Sequence, residues 1–197
     1  MNKGILYVMS GPSGTGKGTV CAELIENREI HLSISTTSRN QRAGEVAGVT
    51  YNYTSAENFR KMIDNEELLE WAVYNGNYYG TPKSQILQML EDGKDVLLEI
   101  EPQGALKVKA EFPETVLIFI VPPSMEVLRQ RLVDRGRETP AEIEDRISAA
   151  KWEFMQAPKY NYIVENGDLQ KCVSEVSSIM DRCKETRVKV KKLLSNN

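Results

Sequence analysis

The chain has 197 residues, 41% of them hydrophobic, and a formal net charge of −3, which suits one buried core and one domain, 1–197. The small negative charge argues against a nucleic-acid partner, because phosphate backbones are held by clustered Lys and Arg. No apolar run approaches the roughly 20 residues that span a bilayer, and the first residues break into a glycine-rich turn, so we expect no membrane partner and a cytoplasmic location.

The apolar pattern alternates between strand-like runs and helical spacing along most of the chain. Residues 4–10 predict a strand, and a glycine-rich turn and a helix follow directly. Further strands are predicted at 96–100, 116–121 and 162–164, and helices near 83–91, 124–134, 141–157 and 168–193. This alternation predicts an α/β fold with a parallel central sheet and helices on both of its faces.

Two polar segments interrupt the alternation. One is the tyrosine-rich stretch at 35–82, and the other is an arginine-rich stretch at 126–146. We interpret both as insertions at the carboxyl edge of the sheet, where α/β proteins bind ligands. The core of the single domain is then expected to comprise 1–34, 83–125 and 147–197.

Cysteine and histidine offer no obvious chemistry. Cys21, Cys172 and Cys183 are widely spaced and form no CxxC pair, so we expect reduced, structural thiols. His31 is the only histidine, and the chain has no GxSxG nucleophile elbow. Nucleophilic catalysis that depends on a histidine is therefore disfavoured.

The glycine-rich turn reads GPSGTGKGT and lies between a predicted strand and a predicted helix, the context of a Walker A loop. Backbone N–H groups of such a loop cradle nucleotide phosphates, and Lys17 adds a charge that reaches the β and γ phosphates. Gly18 stands where most such loops carry a Ser or Thr ligand of magnesium, which leaves Thr19 or water for that task. The predicted ATP-binding residues of the loop are Gly11, Pro12, Ser13, Gly14, Thr15, Gly16, Lys17, Gly18 and Thr19.

Two segments downstream, SISTTSRNQRAGEVAGVTYNY and EWAVYNGNYYGTP, resemble the acceptor-binding part of guanylate kinases. The family pattern S-x-S-x-T-T-R-x-P-R-x-G-E with a later G-x-x-Y is matched except that Ser38 and Gln41 replace its threonine and proline. The resemblance covers almost the whole chain. It implies a P-loop three-layer sandwich with a parallel central sheet, a GMP-binding insertion at 35–82 and a lid at 126–146.

The resemblance also implies which residues bind the acceptor. Arginine forks and tyrosine hydroxyls suit a phosphate dianion, and a carboxylate suits the N1–H and N2–H₂ donors of guanine. Glu70 is the expected guanine reader, and Ser35 and Thr81 are expected to address O6 and N7. The phosphate is assigned to Arg39, Arg42, Tyr51 and Tyr79.

The lid segment RQRLVDRGRETPAEIEDRI also resembles the family's, and this implies that Arg135 and Arg146 act on the transferring phosphates. Lys17 and Arg42 are expected to act on the same phosphates. No general base is required, because the oxygen of the acceptor phosphate is already anionic near neutral pH.

Three further residues are assigned by resemblance. Glu99 and Glu101 stand where guanylate kinases usually carry two aspartates, and they are assigned to the GMP site with one extra methylene each. Asn166 matches an asparagine that lies against the adenine of ATP in relatives.

The expected activity is transfer of the γ-phosphoryl group of ATP to GMP, directly and in line, giving ADP and GDP for the supply of GTP and dGTP and the recycling of GMP. Mg²⁺ is the expected cofactor, carried by the nucleotide phosphates without a direct protein ligand other than Thr19. dGMP is an expected second acceptor, and the protein is expected to be a monomer or a homodimer.

Two alternatives remain open. One is a kinase of the same fold that acts on ribose bisphosphate or another nucleoside monophosphate. The other is a non-catalytic interaction module, although retention of Lys17, Arg135 and Arg146 opposes it.

Overall fold

The structure is a computed structural model and describes residues 3–74 and 76–195. The first two and last two residues of the predicted domain, and residue 75 of the predicted insertion, lie outside the described residues. The strands are β1 Leu6–Ser10, β2 His31–Leu32, β3 Thr36–Thr37, β4 Asn52–Tyr53, β5 Leu68–Tyr74, β6 Asn77–Pro82, β7 Val96–Glu99, β8 Val116–Val121 and β9 Tyr162–Glu165. The α-helices are α1 Lys17–Asn27, α2 Ala56–Asp64, α3 Lys83–Glu91, α4 Pro102–Glu111, α5 Met125–Arg135, α6 Pro140–Phe154 and α7 Leu169–Ser195.

The chain divides into two compact units. The first unit comprises Glu29–Leu117 together with the chain before Gly11, and the second comprises Gly11–Arg28 together with the chain from Ile118 onward. The predicted phosphate loop and lid therefore belong to the second unit, and the predicted GMP-binding insertion belongs to the first.

The first unit contains three parallel strands in the order β2-β7-β1. Val96 of β7 pairs with Leu6 of β1 on one side and with His31 of β2 on the other. Residues 96–98 have no exposed surface. A strand buried on both faces reads as a continuous apolar run, and this explains why the sequence predicts it well.

The insertion forms a second sheet within the first unit, in the order β4-β3-β6-β5. β5 and β6 are an antiparallel hairpin, β3 is antiparallel to β6, and β3 is parallel to β4. A register shift between Leu68 and Glu70 places Glu70 opposite Thr81. The insertion thus brings two predicted guanine-reading residues onto neighbouring strands.

The second unit holds the parallel pair β8 and β9, helix α7 packed against α1, and the helical pair α5 and α6. Ser124 caps α5 and Gly136 ends it at φ 63°, while Thr139 and Glu142 form a capping box on α6. Leu128 and Ile147 belong to the apolar cluster that joins α5 to α6. This helical pair carries the predicted lid arginines.

The predicted strands and the predicted α/β class with a parallel sheet are confirmed. The last turn of the predicted helix at 141–157 is wrong, since α6 ends at Phe154 and a short 3-10 helix follows at Ala157–Lys159. The sequence pattern did not predict α2, α4 or the strands of the second sheet. Placement of helices on both faces, the single domain and its subdivision remain predictions.

Within the described residues, no helix combines the length and the apolar character that crossing a membrane requires. The same residues contain no cluster of three or more His, Cys, Asp or Glu side chains suited to holding a metal ion.

Candidate functional site

The phosphate loop has the backbone of an anion cradle. Gly11, Gly14 and Gly16 adopt φ of 144°, 90° and 86°, conformations that residues with a Cβ rarely reach. A Cβ on Gly11 would also collide with the carbonyl of Ile120. Helix α1 begins directly after Gly16 without a side-chain cap, so its first N–H groups remain available to a phosphate.

Lys17 lies across this loop. Its ammonium donates to the carbonyls of Gly11 and Pro12, the latter at 3.1 Å, and the residue is 8% exposed. Thr15 stiffens the same turn, since its hydroxyl and its N–H both donate to the Pro12 carbonyl, at 2.9 and 3.2 Å. The loop therefore carries a fixed positive charge against its own carbonyl oxygens.

Asn166 supports the loop through a hydrogen bond to its backbone. Its Nδ2 donates to the Thr15 carbonyl at 2.8 Å, and a Cβ on Gly16 would lie 2.5 Å from this nitrogen. Arg131 Nη2 donates to the Asn166 carbonyl at 2.7 Å, while its buried Nη1 has no hydrogen-bond partner among the described residues. A contact of Asn166 with adenine remains a prediction.

The two predicted lid arginines meet at one carboxylate. Glu138 pairs with Arg135 and lies 3.2 Å from Arg146 Nη2, and its side chain is 6% exposed. Ser13 accepts from Arg146 Nη1 at 2.9 Å and from Arg135 Nη2 at 3.5 Å. Within the second unit, the structure brings both lid arginines to the phosphate loop.

The predicted guanine reader is buried in the first unit. Thr81 donates to Glu70 Oε1 at 2.7 Å, and the two residues are 0% and 7% exposed. Burial raises the pKa of Glu70, an effect opposed by the Thr81 hydrogen bond and the positive charge of Lys107 and reinforced by the negative charge of Glu101. Ser35, half-buried directly before β3, accepts from Asn52 N through its carbonyl at 2.9 Å.

A second carboxylate organises the predicted phosphate-binding residues. Arg39 donates to both oxygens of Glu45, at 2.8 and 3.1 Å, and Tyr53 donates to Glu45 Oε2 at 2.8 Å. These bonds, with that of the Arg39 guanidinium first, lower the pKa of Glu45 to about 2 against the effect of burial. The Glu45 carboxylate and the Tyr79 hydroxyl raise the pKa of Arg39. Arg39 is thus a fixed cation.

Tyrosine rings line the same cluster. The guanidinium of Arg39 lies 5.5 Å from the ring centroid of Tyr51, and the Tyr51 and Tyr79 rings contact edge to face at 6.0 Å. Burial, followed by the negative charge of Glu99, raises the pKa of Tyr51 to about 12. Its hydroxyl therefore stays protonated at physiological pH and can donate a hydrogen bond.

Arg42 is the predicted phosphate ligand that stands apart from this cluster. Its backbone N–H donates to Glu45 Oε2 at 2.8 Å, which fixes the loop, and its side chain extends from an exposed position. Glu99 ends β7 and Glu101 is the N-cap residue of α4, and the charges of both act on the Tyr51 hydroxyl. The two glutamates therefore lie near Tyr51, one of the predicted acceptor-binding residues.

Sequence reasoning assigned no role to Glu45, Tyr53, Glu138 or Lys107. Glu45 belongs to the matched R-x-G-E segment, so its position gave a signal that could have been used. Lys107 lies on the unpredicted helix α4, where its ammonium donates to the Trp71 carbonyl at 2.9 Å. Nothing in the local sequence indicates that contact.

Comparison with known proteins gives consistent matches. A family model described as guanylate kinase matches residues 3–183. A guanylate kinase of Clostridium tetani is 47% identical over 197 residues, covering 99% of this chain and 95% of the relative. One of Halalkalibacterium halodurans is 49% identical, covering 94% and 93%. The crystal structure of guanylate kinase from Anaplasma phagocytophilum superposes with a TM-score of 0.78 at 32% identity, covering 92% of this chain and 87% of that one.

Proposed function

Because the chain belongs to the guanylate kinase family, we propose that it transfers the γ-phosphoryl group of ATP to GMP, giving ADP and GDP. The single observation that carries the acceptor assignment is the buried Glu70–Thr81 pair. The same insertion also holds a cluster of hydrogen-bond donors suited to a phosphate. A buried carboxylate whose pKa is raised by burial is suited to a ligand that brings hydrogen-bond donors.

Guanine supplies such donors. Its N1–H and N2–H₂ groups lie side by side and match the two oxygens of one carboxylate, whereas adenine presents an acceptor at N1 and has no N2 amine. The Thr81 hydroxyl fixes Oε1 of Glu70 and so orients the carboxylate before the nucleotide arrives. We assign the Ser35 hydroxyl to the O6 and N7 edge of the base; the Thr81 hydroxyl has one proton, and donating it to Glu70 leaves none for those acceptors.

The acceptor phosphate is assigned to Arg39, Arg42, Tyr51 and Tyr79. Arg39 is held by Glu45 and by ring faces, and binding therefore costs little ordering of its side chain. The Tyr51 hydroxyl stays protonated and can donate to a phosphate oxygen. Such charge-assisted donors fix the phosphate with its attacking oxygen already anionic, so no general base is needed.

ATP is assigned to the phosphate loop of the second unit. Its backbone N–H groups and Lys17 bind the β and γ phosphates, and Arg135 and Arg146 stabilise the charge that develops as the γ-phosphoryl group moves in line to the acceptor. Both arginines already lie at Ser13 of the loop. Binding of the phosphates would replace contacts with Glu138 and Ser13 by contacts with the nucleotide.

Mg²⁺ is the proposed cofactor, and the donor set fits a metal carried by the nucleotide. The described residues contain no cage of three or more acidic or metal-binding side chains, while the exposed Thr19 hydroxyl follows the loop at the start of α1. Mg²⁺ commonly keeps several waters and binds through substrate phosphates, where it neutralises their charge. Thr19 is the residue that would contribute to its shell.

We further propose dGMP as a second acceptor and the cytoplasm as the location. None of the assigned acceptor contacts uses the ribose 2′-hydroxyl. The three cysteines form no disulfide in the described part of the chain, which fits a reducing compartment.

The decisive experiment measures ADP formation in a coupled assay with GMP, dGMP, AMP, CMP, UMP or ribose bisphosphate as acceptor. We expect turnover with GMP and dGMP and roughly 10³-fold less with AMP. Lys17→Met should abolish turnover, and the exposed control Lys3→Met should preserve it. A wild-type protein that binds both nucleotides without GMP-dependent turnover would instead be an interaction module, and a better acceptor than GMP would overturn the acceptor assignment.

A further inference from the structure

Helix α4 approaches the guanine reader at a residue without a side chain. Gly104 is buried in the first turn of α4, and this helix packs against β5, the strand that carries Glu70. A Cβ built on Gly104 would lie 2.9 Å from Glu70 Cδ and closer still to Oε2. Real Cβ atoms do not come this close to a carboxyl carbon, so any side chain at this position would displace the carboxylate.

Backbone conformation does not account for the glycine. Gly104 lies within a regular helix and is absent from the glycines of positive φ in the described chain. In a helix, alanine is more favourable than glycine because it loses less conformational freedom on folding. Glycine is therefore unfavourable for the helix itself, and its close approach to Glu70 is the local feature that explains it.

The Glu70 carboxylate is held on two sides. Thr81 donates to Glu70 Oε1 at 2.7 Å, and Gly104 lies against Glu70 Oε2. Glu70 is 7% exposed. An added methyl group at position 104 would rotate the carboxylate about its bond to the side chain or break the Thr81 hydrogen bond. Either change tilts the plane in which two oxygens accept from two neighbouring donors.

We propose that Gly104 is a positioning residue that determines the specificity for guanine, by allowing α4 to hold the Glu70 carboxylate in the plane of the base. This inference rests on the proposed role of Glu70 as the guanine reader. The N2 amine distinguishes GMP from IMP, which retains N1–H and O6. Displacement of one oxygen should therefore reduce the preference for GMP over IMP more than it reduces general nucleotide binding.

The test compares wild type with Gly104→Ala by titration calorimetry of GMP and IMP in the absence of ATP. We expect the Kd of GMP to rise at least about tenfold and the GMP-over-IMP preference to fall at least about fivefold. The KM for ATP should stay within about twofold, and the fall in Tm should be small, because the greater helix propensity of alanine offsets part of the cost of displacing the carboxylate. Ala110→Gly, an exposed change in the same helix, should lower Tm and leave the preference intact.

A compensating change gives an independent readout. Glu70→Asp withdraws the carboxylate by one methylene and makes room for a methyl group at position 104. In the Glu70→Asp background, Gly104→Ala should change the Kd of GMP by less than about twofold, far less than in the wild type. This non-additivity is specific to a steric contact between the two side chains.

Three results would be adverse, and they are distinguishable. If Gly104→Ala leaves the GMP-over-IMP preference within about twofold, or weakens GMP, IMP and ATP equally with a lower Tm, the positioning role is wrong. If its effects are additive with Glu70→Asp, the contact is not the cause. If Glu70→Gln and Glu70→Asp both leave GMP binding unchanged, the proposed role of Glu70 fails, whatever Gly104→Ala does.

Discussion

Replacing Glu70 with glutamine tests guanine recognition with a side chain of nearly the same size. Thr81 donates to Oε1 at 2.7 Å, so the amide oxygen takes that position and the amide nitrogen takes the position of Oε2. The amide oxygen can still accept from one guanine donor, but the amide nitrogen presents N–H groups to the other. One hydrogen bond to a charged acceptor is lost and a guanine donor faces another donor, at about 1.5–3 kcal/mol, which predicts a fall of roughly 10- to 150-fold in kcat/KM for GMP.

The assay measures kcat/KM for GMP and AMP in both proteins at saturating ATP. The native preference for GMP over AMP should exceed about 10³-fold, and Glu70→Gln should reduce it mainly by losing GMP activity. AMP activity should hold or rise, because an amide N–H can donate to adenine N1. Thermal unfolding should show a Tm no lower than native, since burial raises the pKa of Glu70 and an amide carries no charge. A GMP rate and a preference within about twofold of native would refute the assignment.

Three further predictions follow from charged contacts in each unit. Lys107→Met removes a charge that lowers the pKa of Glu70, so the acidic limb of the kcat/KM profile for GMP should move to higher pH relative to wild type; an unmoved limb would contradict this. Glu138→Gln, in a side chain 6% exposed, should cost about 2 kcal/mol, roughly 4–8 °C in Tm, whereas the exposed control Glu144→Gln should leave Tm unchanged; equal shifts would show that burial is irrelevant. Glu45→Gln should raise KM for GMP about tenfold or more and leave KM for ATP within twofold, and parallel losses for both substrates would indicate a general folding defect.

Strands β1 and β7 were predictable because their burial on both faces requires uninterrupted apolar runs. Helix α4 was not, because it begins with Pro102 and buries small residues such as Gly104 and Ala105. Its packing surface therefore has no strong apolar periodicity. The strands of the insertion pair over only two residues in β3 and in β4, which is too short for a period-2 pattern to be recognised.

The candidate site also has parts that the sequence predicts and parts that it does not. The phosphate loop could be read locally, because glycines at positive φ and Lys17 are dictated by the backbone geometry of an anion cradle. The pairing of Glu70 with Thr81 depends on the register of a hairpin with an irregularity, and the approach of Gly104 depends on how a helix packs on that hairpin. Contacts of this kind arise from tertiary packing, and no spacing along the chain encodes them.

The insertion contains two carboxylates, Glu45 and Glu70, whose pKa values shift in opposite directions. The opposite shifts indicate different roles for the two residues. The pKa of Glu45 is lowered to about 2 because Arg39 already satisfies it, so its contribution to stability is present above the pKa of about 4.5 in the unfolded chain and is lost as pH falls towards 2. The pKa of Glu70 is raised because burial outweighs the Thr81 hydrogen bond and the positive charge of Lys107, so its ionisation at neutral pH disfavours the folded state. If Glu70 reads guanine as proposed, the donors of the base stabilise its ionised form and GMP binding lowers this pKa. On that assignment, the destabilised carboxylate is the one that a ligand can satisfy, and the stabilised one supports the arginine proposed to bind the phosphate.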